Sequence, residues 1–375
     1  MIAIGIDIGG TSIKGAAVDS NGRVYETFSM PVAKGEPGEI TIHKLAELVK
    51  DYISGNGLEG KIVGIGIGCP GTLDVKNGIV EYSNNLCWND LPISRIFNEA
   101  LPYPIRLTND ANAAALGEAK YGAGKEFENI IMLTLGTGVG GGIIINGKLY
   151  EGNLGKGGEL GHIVVQVDGE LCTCGRKGCL EAYASATALI RETKKAMLKN
   201  KKSLMWKICP EIEKVGGRTS FEAAKQGDKD AIGVLDNYIK YLGEGILNYC
   251  NIFRPNAIVL SGGVANAGDY LFDRLNTYVK ERNYGYKSTP EVKILPAQLG
   301  YDSGKIGAAA LFFEYYVPRK VIEQRFPGFH QSYVVYSEAQ CYEERSGGQQ
   351  GKGDDEDHFL AILAPVVAGE SIVVQ

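Results

Sequence analysis

The sequence predicts an α/β protein built from two similar halves that face each other across a central cleft. Two observations lead to this prediction. An apolar strand, a glycine-rich turn and a second strand follow one another over Ile2–Val18 and again over Asn129–Ile145. Helical segments and further apolar strands come after each of these units, and such alternation is typical of α/β folds.

The elements of the first half are assigned from short apolar runs and from turn residues. Ser20-Asn21-Gly22 is a hairpin signal. The apolar residues of Ile40–Ile53 have helical spacing, and Gly55 follows them as a stop signal. The predicted strands are Ile2–Ile8, Ser12–Val18, Arg23–Met30, Ile62–Ile67 and Ile105–Leu107, and the predicted helices are Ile40–Ile53 and Ala111–Tyr121.

The second half repeats this pattern. The predicted strands are Asn129–Leu135, Gly142–Ile145, Ala257–Leu260 and Val292–Leu295, and the predicted helices are Ser185–Leu198, Ala231–Phe253, Asp269–Glu281 and Gly304–Tyr315. We expect an N-terminal α/β domain of residues 1–117 plus 304–317. A larger α/β domain of residues 118–303 carries a zinc-binding loop.

Residues 318–375 differ in character from the rest of the chain. They contain Pro318 and Pro327, a glycine-rich acidic stretch over Ser346–Asp357 and an apolar patch over Phe359–Val367. The middle of this segment is typical of a flexible linker. We interpret residues 318–375 as a C-terminal extension and assign it no role.

Composition and charge argue against several classes of function. The 375 residues include 39 Lys and Arg against 44 Asp and Glu, a net charge of -5, so a nucleic-acid partner is disfavoured. Met1–Asp7 lacks the basic region of a signal peptide, and no apolar run approaches the roughly 20 residues of a membrane-spanning helix. We therefore expect a cytoplasmic protein without a membrane partner, in which clustered cysteines bind metal rather than form disulfides.

Three glycine-rich turns follow apolar strands and are suited to binding a nucleotide. In the first, Asp7–Lys14, backbone N–H groups and the Thr11 hydroxyl can meet phosphate oxygens, and Asp7 can hold Mg²⁺ directly or through water. The second is Leu135–Gly142, and the third is Leu260–Val264, where a purine ring can lie on the backbone. Each turn alone is more typical of an ordinary tight turn, and only the three turns in this order favour a nucleotide site; the chain contains no P-loop motif. The candidate nucleotide-binding residues are Asp7, Gly9, Gly10, Thr11, Lys14, Gly136, Thr137, Gly138, Gly262 and Gly263.

One imidazole and three thiols lie within a short segment of the second half. His162, Cys172, Cys174 and Cys179 provide a complete tetrahedral ligand set for a structural Zn²⁺ ion, which leaves no position for a catalytic water. Gly175 and Gly178 permit the sharp turns that wrapping a metal requires. This pattern is the most specific metal signal in the chain.

Two further segments carry polar residues suited to a small hydroxylated ligand. Asp110, at the start of a predicted helix, is either a simple N-cap or a functional carboxylate. Asn109 beside it can bind a sugar hydroxyl. Glu159, in Gly158–His162, is either a solvated loop carboxylate or an acceptor for vicinal hydroxyls.

Taken together, these motifs resemble the ROK family of sugar kinases and repressors. The resemblance runs from Ile2 to about Phe313, with the motifs in the family's order. It implies a duplicated actin-like ATPase (ribonuclease H-like) fold, with ATP and Mg²⁺ in the cleft between two domains, and a hexose kinase activity.

The resemblance also implies roles for individual residues. Asp110 would be the catalytic base that accepts the proton of the 6-hydroxyl. His162, Cys172, Cys174 and Cys179 would hold structural zinc. The residues implied to bind or border the sugar are Gly71, Thr72, Asn84, Asn85, Asn109, Asp110, Glu159, His162 and Glu181. Homodimerisation is expected from the family alone.

Several alternatives stay open at the level of sequence. Glucose is the favoured substrate because Asn85-Leu86-Cys87-Trp88 and Cys179-Leu180-Glu181-Ala182 resemble glucokinase motifs. An N-acetylhexosamine kinase, for N-acetylglucosamine or N-acetylmannosamine, is the runner-up. A sugar-responsive repressor is disfavoured because this chain begins directly on the first strand, and a sugar-binding scaffold without catalysis is disfavoured because Asp7, Thr137 and Asp110 are all present.

Overall fold

A computed structural model of the chain describes residues 1–33, 35–285 and 288–313. The chain divides into a compact unit of Met1–Leu311 and a second unit of Phe312–Gln375. All the strands and helices of the described residues lie in the first unit. The predicted extension of residues 318–375 lies outside the described residues, as do the last two residues of the helix predicted over Gly304–Tyr315.

Strands and helices alternate along the first unit. The strands are β1 (Ile2–Ile8), β2 (Ser12–Asp19), β3 (Val24–Pro31), β4 (Ile62–Cys69), β5 (Thr72–Asp74), β6 (Ile79–Ser83), β7 (Trp88–Leu91), β8 (Ile105–Asn109), β9 (Ile130–Leu135), β10 (Val139–Ile145), β11 (Lys148–Tyr150), β12 (Ala257–Ser261) and β13 (Lys293–Pro296). The helices are α1 (Gly38–Gly55), α2 (Ile93–Ala100), α3 (Asp110–Tyr121), α4 (Glu181–Ala184), α5 (Ala186–Lys199), α6 (Met205–Ile208), α7 (Gly217–Lys225), α8 (Lys229–Phe253), α9 (Asp269–Arg282) and α10 (Ser303–Ala310).

Two five-stranded sheets have the same topology, which confirms the predicted duplication. The first has the order β3-β2-β1-β4-β8 and the second the order β11-β10-β9-β12-β13. In each, the first three strands are antiparallel and the last two run parallel to the central one. A third, antiparallel sheet of β5, β6 and β7 is an addition to the first half.

Each five-stranded sheet has a hydrophobic core of its own. All eight residues of β4 are buried, as expected for a strand with both faces covered. Helix α1 buries Ile42, Leu45 and Val49, the apolar positions that predicted it, against the first sheet. The long helix α8 belongs to the core of the second half. The predicted division into residues 1–117 plus 304–317 and residues 118–303 stays a prediction.

The strand predicted at the end of the second glycine cluster was too short. The strand expected over Gly142–Ile145 begins at Val139, so the turn is confined to residues 136–138. The glycines at the start of this strand do not mark a turn, because they leave room for α3, which packs closely against this sheet. A Cβ atom on Gly142 would lie 2.4 Å from the Cβ atom of Ala115, and one on Gly140 would lie 3.1 Å from the Cβ atom of Ala111.

Helix α10 packs at backbone contact distance against both sheet and helix. A Cβ atom on Gly5 of β1 would lie 1.8 Å from the carbonyl oxygen of Lys305, and one on Gly66 of β4 would lie 1.8 Å from that of Ala308. A Cβ atom on Gly307 would lie 1.6 Å from the carbonyl oxygen of Ala113 on α3. The absence of side chains at these glycines therefore permits the contact.

No helix within the described ranges is long and apolar enough to cross a bilayer.

Adding a methyl group at Gly307 tests the close packing of α10 against α3. Because the obstructing atom belongs to the backbone of α3, we expect Gly307→Ala to lower the free energy of unfolding by about 3 kcal/mol or more. Gly233→Ala, at an exposed position of α8 with open space around it, is the matched control and should stabilise by about 0.5–1 kcal/mol. Urea unfolding measures both. Equal stability of Gly307→Ala and wild type would contradict the packing described for α10.

Candidate active site

The candidate site lies at the carboxyl ends of the parallel strands of the first sheet. Asp7 on β1 is in register with Gly68 on β4, and Gly68 is in register with Thr108 on β8. Asn109 ends β8 and Asp110 begins α3. Crevices at the carboxyl ends of strands are where α/β sheets bind ligands.

Asp110 is held at the first turn of α3 in surroundings that disfavour its charge. Its Oδ1 atom and that of Asn109 each accept a hydrogen bond from the backbone N–H of Ala111 at 2.9 Å. Asn109 is the N-cap residue, so Asp110 is not merely a cap. The pKa of Asp110 is raised to about 6, mainly by burial and also by the negative charges of Asp7 and Glu159, while the hydrogen bond from the Ala111 amide offsets part of the rise.

Two lysines face the carboxylate of Asp7. Burial raises the pKa of Asp7, and the positive charges of Lys14 and Lys305 offset part of this rise. Lys14 is the register partner of Asp7 on β2. Lys305 on α10 is 5% exposed and forms an ion pair with Asp302.

Lys305 is a site residue that sequence reasoning missed. Its signal in the sequence is a single cation within Ser303–Ala310, a helix otherwise made of small and apolar residues. Buried lysines are rare unless paired. The neighbouring Gly304 lies so close to Asp7 that a Cβ atom there would be 2.8 Å from the Asp7 carboxylate.

The predicted glycine turns lie at equivalent ends of the two large sheets. In the first turn the N–H of Gly9 donates to the carbonyl of Ser12 at 3.0 Å, while Gly10 and Thr11 are exposed. In the second the N–H of Gly136 donates to the carbonyl of Gly138 at 3.0 Å. These turns present backbone to solvent, as a site for phosphates requires.

The second and third glycine turns touch each other. Gly262 has a φ of +90°, and a Cβ atom there would lie 2.5 Å from the carbonyl oxygen of Leu135. Glycine is therefore required at this position. Gly263 beside it is exposed and has open space where a side chain would stand.

Residues from both halves border the space beside Asp110. Glu159 is exposed, and its charge is near enough to act on the pKa of Asp110. The loop that leads to it makes two polar contacts with the first half. Thr108 donates to the Glu151 carboxylate at 2.5 Å, and Lys156 pairs with Glu81 at 2.8 Å.

The remaining candidates from the first half lie around the small sheet. Gly71 has a φ of +122°, and a Cβ atom there would lie 2.2 Å from the carbonyl oxygen of Tyr82. Thr72 follows in β5, which pairs with β6. Asn84 and Asn85 occupy the exposed turn after β6, and Tyr82 donates to the side chain of Asn84 at 3.1 Å.

The predicted metal ligands come together in space. The ligand atoms of His162, Cys172, Cys174 and Cys179 all lie within 4.8 Å of one another. The sulfur atoms of Cys174 and Cys179 are 3.6 Å apart, well beyond the about 2.05 Å of a disulfide. Tetrahedral Zn–S bonds of about 2.3 Å would separate two sulfurs by about 3.8 Å. The arrangement therefore fits zinc.

The chemistry of the ligand set also fits a bound cation. The Nδ1 atom of His162 lies 3.6 Å from the sulfur of Cys172, so this nitrogen faces the thiols and Nε2 is directed away from them. Burial and the neighbouring thiols raise the pKa of Cys179 to about 12. A metal ion would provide the positive charge that stabilises the thiolates.

Glu181 connects the metal loop to the second glycine turn. Its Oε2 atom accepts a hydrogen bond from the N–H of Val139 at 2.9 Å, and its Oε1 atom accepts one from the hydroxyl of Thr173 at 2.8 Å. Both carboxylate oxygens therefore have protein partners. This link was not foreseen from the sequence, which indicated a sugar contact for Glu181.

Comparisons with known proteins agree over most of the chain. The sequence model of the ROK family matches residues 3–314. A glucokinase of Thermotoga maritima is 36% identical over 313 residues, which are 83% of this chain and 97% of the relative. A xylose repressor of Bacillus spizizenii is 32% identical over 320 residues, which are 84% of this chain and 78% of the repressor.

A solved structure extends the comparison to the fold. The ROK family glucokinase from Streptomyces griseus, crystallised with glucose and AMPPNP, superposes with a TM-score of 0.69 at 34% identity. The match covers 83% of this chain and 99% of that chain. The predicted actin-like ATPase fold is thereby confirmed.

Removing one thiol tests the metal cluster. We expect Cys174→Ser to lose most of its bound zinc because a hydroxyl is a far poorer zinc ligand than a thiolate. Elemental analysis of the purified protein measures the zinc content. Cys209→Ser, at a half-buried cysteine outside the cluster, is the matched control and should retain about one zinc per chain, as the four-ligand set requires. Absence of zinc from the wild-type protein would refute the site.

Proposed function

The chain belongs to the ROK family. We propose that it is an ATP-dependent kinase that phosphorylates the 6-hydroxyl of a hexose, with glucose as the preferred substrate. The observation that carries this proposal is Asp110, a carboxylate whose pKa is raised to about 6 between Asp7 and Glu159. A base with a pKa near the working pH is suited to accept a proton from a hydroxyl. The similarity to glucokinases supports the choice of sugar.

We assign the nucleotide to the three glycine turns. Gly9, Gly10 and Thr11 from one half, and Gly136, Thr137 and Gly138 from the other, provide N–H and hydroxyl donors for the phosphates. The backbone of Gly262 and Gly263, which no side chain covers, would lie against the purine. Asp7 would hold Mg²⁺, and Lys14 and Lys305 beside it add positive charge where the phosphates carry negative charge.

We assign the sugar to the space beside Asp110. Asn109 and Glu159 are suited to bind its hydroxyls, and Gly71, Thr72, Asn84 and Asn85 would border it from the side of the small sheet. His162 would bind a hydroxyl through Nε2 while Nδ1 faces the metal cluster. Glu181 has both oxygens engaged by Val139 and Thr173, so a sugar contact would have to be shared with these bonds.

The transfer itself requires little covalent participation by the protein. The 6-hydroxyl is too weak an acid to lose its proton unaided at neutral pH. Asp110 would accept this proton as the oxygen approaches phosphorus, which is typically worth about 10²–10⁴-fold in rate. The bond between the γ-phosphorus and its bridging oxygen breaks as the new bond forms, and ADP leaves. Mg²⁺ held by Asp7 would neutralise charge on the phosphates, and the remaining acceleration would come from alignment.

The zinc would act on the sugar indirectly. Zinc bound to Nδ1 of His162 would fix the ring orientation and the tautomer, so that Nε2 would be directed toward the ligand. The thiols of the cluster must be reduced to bind zinc, which supports the assignment to the cytoplasm.

A coupled ATP-to-ADP assay with a panel of hexoses and N-acetylhexosamines tests the proposed function. Turnover dominated by glucose is the expected result. Preference for an N-acetylated sugar would change the assigned substrate from glucose to an N-acetylhexosamine. The assignments of the base and of the metal ligands would remain. Absence of turnover with every sugar, in protein that contains zinc, would refute the kinase and favour a regulator such as the xylose repressors that the chain resembles.

Replacing the base separates catalysis from binding. We expect Asp110→Asn to reduce kcat by about 10²–10⁴-fold because the amide cannot accept the proton. Glucose affinity, measured by calorimetry, should change little. Asp51→Asn on the exposed face of α1 is the matched control and should keep wild-type kcat. Near-wild-type turnover of Asp110→Asn would exclude the base role.

The raised pKa of Asp110 predicts the pH dependence of the reaction. Only the ionised carboxylate accepts a proton, so kcat/KM for the hexose should fall as the pH drops through about 6. The slope should approach tenfold per pH unit. An unperturbed aspartate would show this loss only near pH 4. A profile that stays flat between about pH 5 and 8 would contradict the assignment.

A further inference from the structure

The chain passes between its two halves twice, and both passages lie at one end of α3. The first runs from the end of α3 at Tyr121 to the start of β9 at Ile130. The second runs from the end of β13 at Pro296 to the start of α10 at Ser303. Any rotation of one half relative to the other must be accommodated in these two segments.

One buried carboxylate binds both passages. Glu118 on α3 is fully buried. Its Oε2 atom accepts hydrogen bonds from the N–H of Ala123, at 2.8 Å, in the first passage and from the N–H of Gln298, at 3.1 Å, in the second. Its Oε1 atom accepts a bond from the N–H of Leu299 at 2.8 Å. Gln298 and Leu299 lie 180 and 181 residues away from Glu118 along the chain, whereas Ala123 lies only 5 residues away.

The first passage is shaped to admit this carboxylate. A Cβ atom on Gly122 would lie 2.0 Å from Oε2 of Glu118. The backbone N–H groups of Gly122 and Gly124 both donate to the Glu118 carbonyl, at 3.1 and 2.9 Å. The segment after α3 therefore folds back around Glu118 through both its backbone and its side chain.

We propose that Glu118 is a positioning residue that joins the two passages into one hinge and so fixes the orientation of the two halves. Charge-assisted hydrogen bonds to a buried carboxylate are stronger than neutral ones, and a buried polar group that loses a partner is destabilised. The two passages are thus expected to move together. Without the carboxylate each would rotate independently.

The position of Glu118 links this hinge to the candidate active site. It lies eight residues after Asp110 on the same helix, which corresponds to about 12 Å along the axis. Glu118 therefore does not touch the substrate that we assign to Asp110. It holds the far end of the helix on which Asp110 sits against the segments that lead into and out of the second half.

A matched pair of variants distinguishes positioning from stability alone. Glu118→Gln keeps the shape of the side chain and replaces one acceptor oxygen with a donor that faces other donors. Asp228→Asn makes the same chemical change at a buried carboxylate that also accepts three hydrogen bonds, from Ser203, Leu204 and Ala231. All partners of Asp228 lie within the second half, so this variant controls for lost stability.

We expect both variants to lower the melting temperature. Only Glu118→Gln should lower kcat/KM for the hexose, by about tenfold or more, because this factor corresponds to the loss of one charge-assisted hydrogen bond. This kinetic measurement rests on the proposed kinase function.

Small-angle X-ray scattering of the full chains without ligand tests the hinge independently of the kinase function. The radius of gyration of Glu118→Gln should exceed that of wild type and of Asp228→Asn. Equal scattering and equal relative activity of the two variants would overturn the proposal.

Hydrogen exchange on the wild-type protein provides a test that needs no variant. Because one carboxylate holds the amides of Ala123, Gln298 and Leu299, peptides that cover the two passages should show similar protection and the same change when denaturant is added. Protection that differs by more than about tenfold between the passages would overturn the shared hinge, since cooperative units open with one free energy.

Discussion

The contact between α10 and the backbone of β1, β4 and α3 is the constraint on which the site depends. Glycines at positions 5, 66 and 307 remove the side chains that would hold these backbones apart. Since interiors are close-packed, even one methyl group there would require a backbone shift. The contact sets Lys305 and Gly304 against Asp7 and fixes the helix that begins with Asp110. The chemistry of the site therefore depends on glycines that lie outside it.

The two halves share one topology but contribute different chemistry. The first sheet provides the carboxylates Asp7 and Asp110 at the ends of its parallel strands. The second half provides the metal cluster and the adjoining second and third glycine turns. Glu181 couples the cluster to one of these turns, because its two oxygens bind Thr173 on one side and Val139 on the other. The metal loop is therefore linked by hydrogen bonds, through Glu181, to the turn that we assign to phosphate.

Much of the fold could be predicted because its signals are local. The strands of both large sheets are short apolar runs next to turn residues, and the order of those runs indicated the duplication. The small sheet of β5, β6 and β7 was missed because its short strands mix polar with apolar residues and so contain no continuous apolar run. Helix α2 was missed because its eight residues make only about two turns, too few for a clear helical period.

The candidate site was predictable where its residues belong to a motif and hidden where only the fold assembles it. The candidate metal ligands are close in sequence, and their spacing alone predicted that their side chains come together, as the structure shows. Lys305 and Glu118 carry no such signal. Each gains its meaning from partners far away along the chain, namely Asp7 for Lys305 and the amides of residues 298–299 for Glu118. Local patterns of hydrophobicity contain no information on such pairings.

The same α10 contact has a consequence for synthesis of the protein. The first sheet is complete once β8 has emerged from the ribosome, yet the helix that covers β1 and β4 lies roughly 300 residues after β1. Helix α10 begins 194 residues after the end of β8, so at about 5–20 residues per second the completed sheet must wait about 10–40 s for this cover. During that time the glycine-lined surface of β1 and β4 is exposed in the nascent chain. The first half to be made is therefore the last to be closed.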